Sequence, residues 1–162
     1  MLRRAVVDAS PLIFLARTGL LDALHESSET VIVPAAVVSE VRARAGTDDA
    51  AVAALTTMPW LRPGPDVTLP PSIVSWDLGP GESETIALAA QTPECVAVID
   101  DRAARACAAA HRVACVGTLG LLLAAKRRGR LTAVRPALDS LLAAGFHVSR
   151  AILDAVAREA GE

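Results

Sequence analysis

The chain of 162 residues is poor in aromatic side chains: two Phe, two Trp and no Tyr. That scarcity argues against a single-strand binder built on aromatic stacking platforms. It also lacks a charge excess, with 16 basic and 18 acidic residues, so bulk basic attraction to nucleic acid is excluded as its mode of binding. Among the cations only Lys126 is a lysine, so any anion recognition here is arginine chemistry, with planar forked donors. The three cysteines, Cys95, Cys107 and Cys115, are odd in number and show no CxxC spacing; neither a disulfide framework nor a zinc site of familiar spacing is expected. The histidines, His25, His111 and His147, show no metal-ligand spacing either. No apolar run reaches the roughly 18–20 residues of a membrane span. The longest candidate, residues 113–125, is interrupted by Gly117, Thr118 and Gly120 and stops at Lys126-Arg127-Arg128. No signal peptide is visible, since Asp8 breaks the first apolar stretch, and a soluble cytoplasmic protein is expected.

What is present is alternation. With 52% hydrophobic and 21% charged residues, the chain has ample material for a core and is not disordered. Strand-like runs at 5–7, 30–33, 95–99 and 113–116 alternate with helix-like runs of about ten residues. Ser10-Pro11 is expected to open the first helix, with Ser as cap. A short second helix is expected over 20–26, and others over 35–45, about 50–57 (capped by Thr47-Asp48-Asp49), 81–92, 102–111, 118–128, 136–144 and 149–160. Between 58 and 80, six prolines imply extended chain or loop, with a short strand near Trp60-Leu61. This alternation predicts an α/β layer with a mainly parallel sheet, and no composition shift divides the chain, so one domain over 1–162 is expected.

The positions of the acids carry the functional reading. In an open parallel sheet, ligands bind at the carboxyl ends of the strands. Asp8 directly follows the first strand, and Asp100-Asp101 directly follow the strand at 95–99, so both fall on one edge of the sheet. Glu40 borders an apolar helix face, and Glu82 and Glu84 lie in the first turn of a helix after Gly81. Converging carboxylates repel unless a cation binds or some are protonated, and hard oxygen ligands select Mg²⁺ or Mn²⁺ over zinc. Each acid also has a plainer role available, as a cap or a helix-end charge.

Four blocks in order resemble PIN-domain ribonucleases, in the branch resembling VapC-type toxins. They are Val6-Val7-Asp8-Ala9-Ser10-Pro11, Val31-Ile32-Val33-Pro34 with Ser39-Glu40-Val41, Gly81-Glu82-Ser83-Glu84-Thr85-Ile86, and Ile99-Asp100-Asp101-Arg102. Gly117-Thr118-Leu119-Gly120 fits the same branch. The resemblance spans nearly the whole chain. It implies a three-layer sandwich: a central sheet of 4–5 strands flanked by helices. It further implies metal-dependent cleavage of single-stranded RNA, with Asp8, Glu40, Glu84 and Asp101 holding Mg²⁺ or Mn²⁺ and Asp100 as an extra ligand. Glu84 fits the third slot by its distance to Ile86 and Leu88, with Glu82 as the alternative. Ser10 and Thr118 are the candidates for substrate contact, the plainer reading of Thr118 being a helix cap. Arg102, Arg105 and Lys126-Arg127-Arg128 are candidates for steering RNA. The family also implies an antitoxin partner and a homodimer. The apolar bulk of residues 11–15, of Leu121-Leu122-Leu123 and of Leu141-Leu142 suggested a homodimer interface on the N-terminal helices.

Two other functions stand beside this one, the first remote and the second open. A haloacid-dehalogenase-like phosphatase needs a second Asp two residues after the first, where Ser10 stands, and a lysine before the late acid pair, where there is none. A PIN-like module that binds RNA or protein without cutting keeps the same four acids and is separated only by experiment.

Overall fold

The computed structural model describes residues 2–44 and 49–162. Five strands, β1 (Leu2–Val7), β2 (Ser28–Val33), β3 (Leu61–Pro63), β4 (Cys95–Val98) and β5 (Cys115–Val116), form one sheet in the order β3-β2-β1-β4-β5. Every pairing is parallel. The chain therefore winds outward from β1 in one direction as far as β3. It then crosses back to β4 and winds outward in the other direction. That reversal makes the gap between the carboxyl ends of β1 and β4 the place where loops diverge and a ligand can enter.

Both sheet faces are covered, which is why the strands read as continuous apolar runs. Alternate residues divide between two cores. Ala5, Val7, Val31, Val33, Leu61, Val96 and Val98 pack toward α1 (Ala9–Arg17), α2 (Leu21–His25), α3 (Ala35–Arg44) and α4 (Ala50–Thr57). The same core takes in α8 (Thr118–Arg127), α9 (Arg135–Ala143) and α10 (Arg150–Glu159). Val6, Ala97 and Ile99 pack on the opposite face against α5 (Pro71–Val74), α6 (Pro80–Gln91) and α7 (Arg102–Ala110). This is the expected three-layer α/β sandwich, with all five strands parallel.

Local differences from the sequence expectation have simple causes. Ser10 does not cap α1: the helix starts at Ala9, and Asp8 holds the cap position without a side-chain cap bond. The chain turns that early because the Asp8 N–H is committed to Val98 O at 3.0 Å, which ends β1 and fixes the turn at its last residue. The proline-rich stretch contains α5, where Pro71 sits in the first turn and needs no N–H partner. Asp49 caps α4 by accepting from Ala51 N at 2.8 Å and also accepts from Arg17 at 2.7 Å; Thr47, Asp48 and Ala45 lie outside the described residues.

The apolar excess read from the sequence is mostly interior to one chain. Pro11, Leu12, Ile13 and Leu15 are buried, and Phe14 meets Phe146 edge-on at 5.2 Å. Leu121, Leu122, Leu123 and Leu141 are buried too. Helix α1 packs on α2, α3 and α4, and Phe146 of the α9–α10 loop meets Phe14, so the argument for a homodimer through the N-terminal helices loses its premise. Leu141 and Leu142 are a test of that packing, being adjacent in sequence but 1% and 40% exposed. Leu141→Ala is expected to lower the unfolding free energy in urea by about 2–5 kcal/mol, and Leu142→Ala by less than about 1 kcal/mol.

Candidate active site

An open groove of about 1010 Å³ runs across the carboxyl edge of the sheet at the β1–β4 reversal. Asp8, Glu40, Glu82, Asp100 and Asp101 line it, and so does Ser10 in the first turn of α1. Arg44, Arg102 and Arg105 stand on its walls, and Leu119, Phe146, Val148 and Ile152 form an apolar stretch.

Asp8 is the deepest acid, 5% exposed. Its Oδ1 has no hydrogen-bond partner among the described residues. Burial raises its pKa from 3.8 to about 7; the Ala9 backbone offsets part of this, and the charges of Glu82, Glu40 and Asp100 add to it. Glu40 reaches in from α3, its Oε1 accepting from Gly81 N at 2.9 Å. A side chain at Gly81 would come within 2.7 Å of Glu40 Oε1 and 3.2 Å of Asp8 Oδ1. The two carboxylate oxygens thus share the space over one glycine, and only glycine permits that approach.

The two glutamates of α6 part company. Glu82 lines the groove, with its Oε2 accepting from Gly79 N at 2.9 Å. Glu84 is turned away from it: its Oε2 accepts from Ala36 N at 2.9 Å, satisfying a free N–H at the start of α3. The sequence reading had preferred Glu84 for the acidic set. Residues two apart on a helix do not share a face, so only one of them can point into the groove.

At the end of β4 the pair Asp100-Asp101 divides its work in a similar way. Asp101 caps α7, accepting from Ala104 N at 2.8 Å, and stands on the exposed rim. Asp100 is the half-buried member. It accepts from Thr118 N at 2.7 Å and Thr118 Oγ1 at 2.6 Å, tying β4 to the start of α8. Burial pushes its pKa up, opposed by the two Thr118 bonds and by the Arg105 charge. Thr118 is fully buried and spends both donors on Asp100; Gly117 holds the cap position. Neither the substrate contact nor the cap expected of Thr118 is available to it. Lys126, Arg127 and Arg128 are also engaged elsewhere, with Glu162, Glu159 and the Glu26 carbonyl, and do not line the groove.

The family follows from a comparison of the whole chain: residues 4–162 match the PIN-domain family model DUF3368. The chain belongs to the PIN-domain family. PIN domains are generally nucleases, so the groove with its acids is the edge of a nuclease fold. None of the curated proteins compared with the chain matches it.

Whether this PIN domain suits a divalent cation can be judged from its donors. An orphaned, buried Asp8 oxygen beside Glu40 Oε1, with no cation among the described residues paired to either, is a hard-oxygen site short of positive charge. Among the described residues, no three His, Cys, Asp or Glu side chains are grouped to hold one ion. Mg²⁺ commonly takes only one or two carboxylates and completes its shell with water and substrate phosphate. The unpartnered Asp8 oxygen and Glu40 Oε1 are donors of the chemical kind such an ion takes. The apolar stretch with Phe146, Val148 and Ile152 was not legible beforehand, because nothing in the spacing of residues 145–152 marks them as neighbours of the acids.

Two outcomes follow for stability. Glu84→Ala is expected to cost about 1 kcal/mol through the lost bond at the start of α3. Because the folded state keeps a proton on Asp8 up to about pH 7 while the unfolded chain releases it near 3.8, folding stability falls as pH rises across that window. Asp49 and Glu162 carry lowered pKa values and act oppositely, at more acidic pH. Urea unfolding in EDTA is expected to show wild type losing roughly 2–4 kcal/mol between pH 4.5 and 8, and Asp8→Asn losing much less.

Proposed function

We propose that this PIN domain is a divalent-metal-dependent endoribonuclease acting on single-stranded RNA. The observation that carries the reading is the buried Asp8 carboxylate with an unpartnered oxygen, set beside Glu40 over Gly81 at the strand reversal. Asp8 and Glu40 would hold Mg²⁺ or Mn²⁺ directly, and Glu82 and Asp100 would complete the negative wall around it. When bound, the ion supplies an acidified water and neutralises charge developing on the phosphodiester. The chain does the rest. Asp8 must give up its proton to bind, which its pKa near 7 allows at neutral pH. Glu82, at the groove mouth, is placed to accept a proton from an attacking water. Asp100 keeps β4 and α8 locked together through Thr118, so the groove edge does not drift. Ser10 lines the groove beside Asp8 and offers a hydroxyl to a phosphate or a water.

The open groove favours a flexible single strand over a duplex, because a strand must bend its phosphate down toward Asp8. The apolar stretch of Leu119, Phe146, Val148 and Ile152 supports a protein partner as well. We infer an antitoxin whose apolar segment lies there and blocks access to the acids.

Purified protein is expected to cut a single-stranded oligoribonucleotide with Mn²⁺ or Mg²⁺ and to stop in EDTA. Asp8→Asn and Glu82→Gln are expected to lower the rate at least about 100-fold, while Glu84→Gln stays within several-fold of wild type once its stability loss is allowed for. Cleavage that persists in EDTA contradicts the metal reading. Glu84→Gln inactive with Glu82→Gln active would return Glu84 to the acidic set.

A further inference from the structure

We propose that Arg105 is the phosphate-holding residue of the groove, gripping a backbone phosphate of the RNA strand beside the β4–β5 end of the acidic wall. This rests on the nuclease reading and deepens it. A wall of carboxylates repels a polyanion, so binding requires a cation that is fixed in place yet not neutralised by its neighbours. Three arginines line the groove, and among the described residues only Arg105 is held there by a hydrogen bond: its Nη1 donates to the Ile99 carbonyl at 3.1 Å. That bond sets the guanidinium at the end of β4, next to Asp100, whose pKa its charge lowers.

The partner is a neutral carbonyl, so the anchor costs Arg105 none of its charge. Among the described residues no carboxylate forms an ion pair with it, in contrast to Arg17, Lys126, Arg127 and Arg130. The Asp100 oxygens are taken up by Thr118. A guanidinium carries five N–H donors in a planar fork, and the anchor uses one. The remaining donors match the oxygens of a phosphate. Gly117 keeps this arrangement open. A side chain there would lie 2.9 Å from Asp100 Oδ1 and 3.0 Å from Arg105 Nη1 and would push one of them aside. A strand with one phosphate on Arg105 and a neighbouring one over Asp8 and Glu40 is held in a single register, which makes Arg105 a determinant of where the chain is cut.

The test is fluorescence anisotropy with a labelled single-stranded oligoribonucleotide, run in EDTA at several salt concentrations so that hydrolysis does not intervene. Wild type is compared with Arg105→Ala, Arg105→Lys and, as a control outside the groove, Arg128→Ala. Arg105→Ala is expected to weaken binding several-fold and to flatten the log–log salt dependence by about 0.7, the amount for one lost phosphate contact on a single strand. Arg105→Lys should recover the salt slope but only part of the affinity, and Arg128→Ala should match wild type. Melting temperatures of the Arg105 variants should stay near wild type. Unchanged affinity and salt slope in a folded Arg105→Ala overturn the proposal while leaving the nuclease reading standing. A wild-type protein that binds no RNA, either in EDTA or with Mn²⁺, overturns both.

Discussion

The structure depends most on one carboxylate that is buried without a full set of partners. Asp8 ends β1, turns the chain into α1 and donates its N–H to β4, so its position is fixed by the backbone of the central sheet. Its side chain is 5% exposed at the floor of the groove and keeps one oxygen unpaired among the described residues. A protein selected only for stability would place an asparagine or an apolar residue there, since an unsatisfied buried acid costs free energy. The surrounding acids raise the cost further. The sheet of two well-packed cores supplies the stability against which this local cost is set.

Around Asp8 the other acids, Glu40, Glu82, Glu84, Asp100 and Asp101, each accept a backbone N–H at a helix start. Asp100 with Thr118, Glu84 with Ala36, and Asp101 with Ala104 each satisfy the start of a helix. These bonds hold α8, α3 and α7 at the carboxyl edge of the sheet; Asp100 and Asp101 also line the groove, and Glu84 does not. Asp8, Glu40 and Glu82 face the groove itself. The same residue type thus serves two purposes within a few ångströms. Glu40 and Glu82 also accept backbone N–H groups, from Gly81 and Gly79, so among the described residues Asp8 is the groove acid left with an unpartnered buried oxygen.

Much of this was legible in the residues. The alternation of apolar runs and Ala-rich helices led to the parallel sheet, and the placement of Asp8 and Asp100-Asp101 after strands led to the groove edge. What was not legible depended on rotation and on long-range packing. Glu82 and Glu84 sit two apart in one helical turn, and composition does not say which faces the sheet edge. Asp100 and Asp101 differ only in which one the Thr118 donors reach, and Thr118 is 18 positions away. The apolar bulk of α1 suggests a dimer because its packing on α3 and α4 and the Phe14–Phe146 contact leave no local trace in sequence.

The central claim is that the buried Asp8 carboxylate exists to bind a divalent ion. Thermal unfolding with and without millimolar Mn²⁺ tests it most directly. At pH 8, where Asp8 is ionised, Mn²⁺ at about 100 times its dissociation constant should stabilise wild type by roughly 2.7 kcal/mol. At pH 5, where the folded protein keeps Asp8 protonated, the stabilisation should largely disappear, and Asp8→Asn should show little of it at either pH. Stabilisation absent at pH 8, or equal in wild type and Asp8→Asn, would contradict the account.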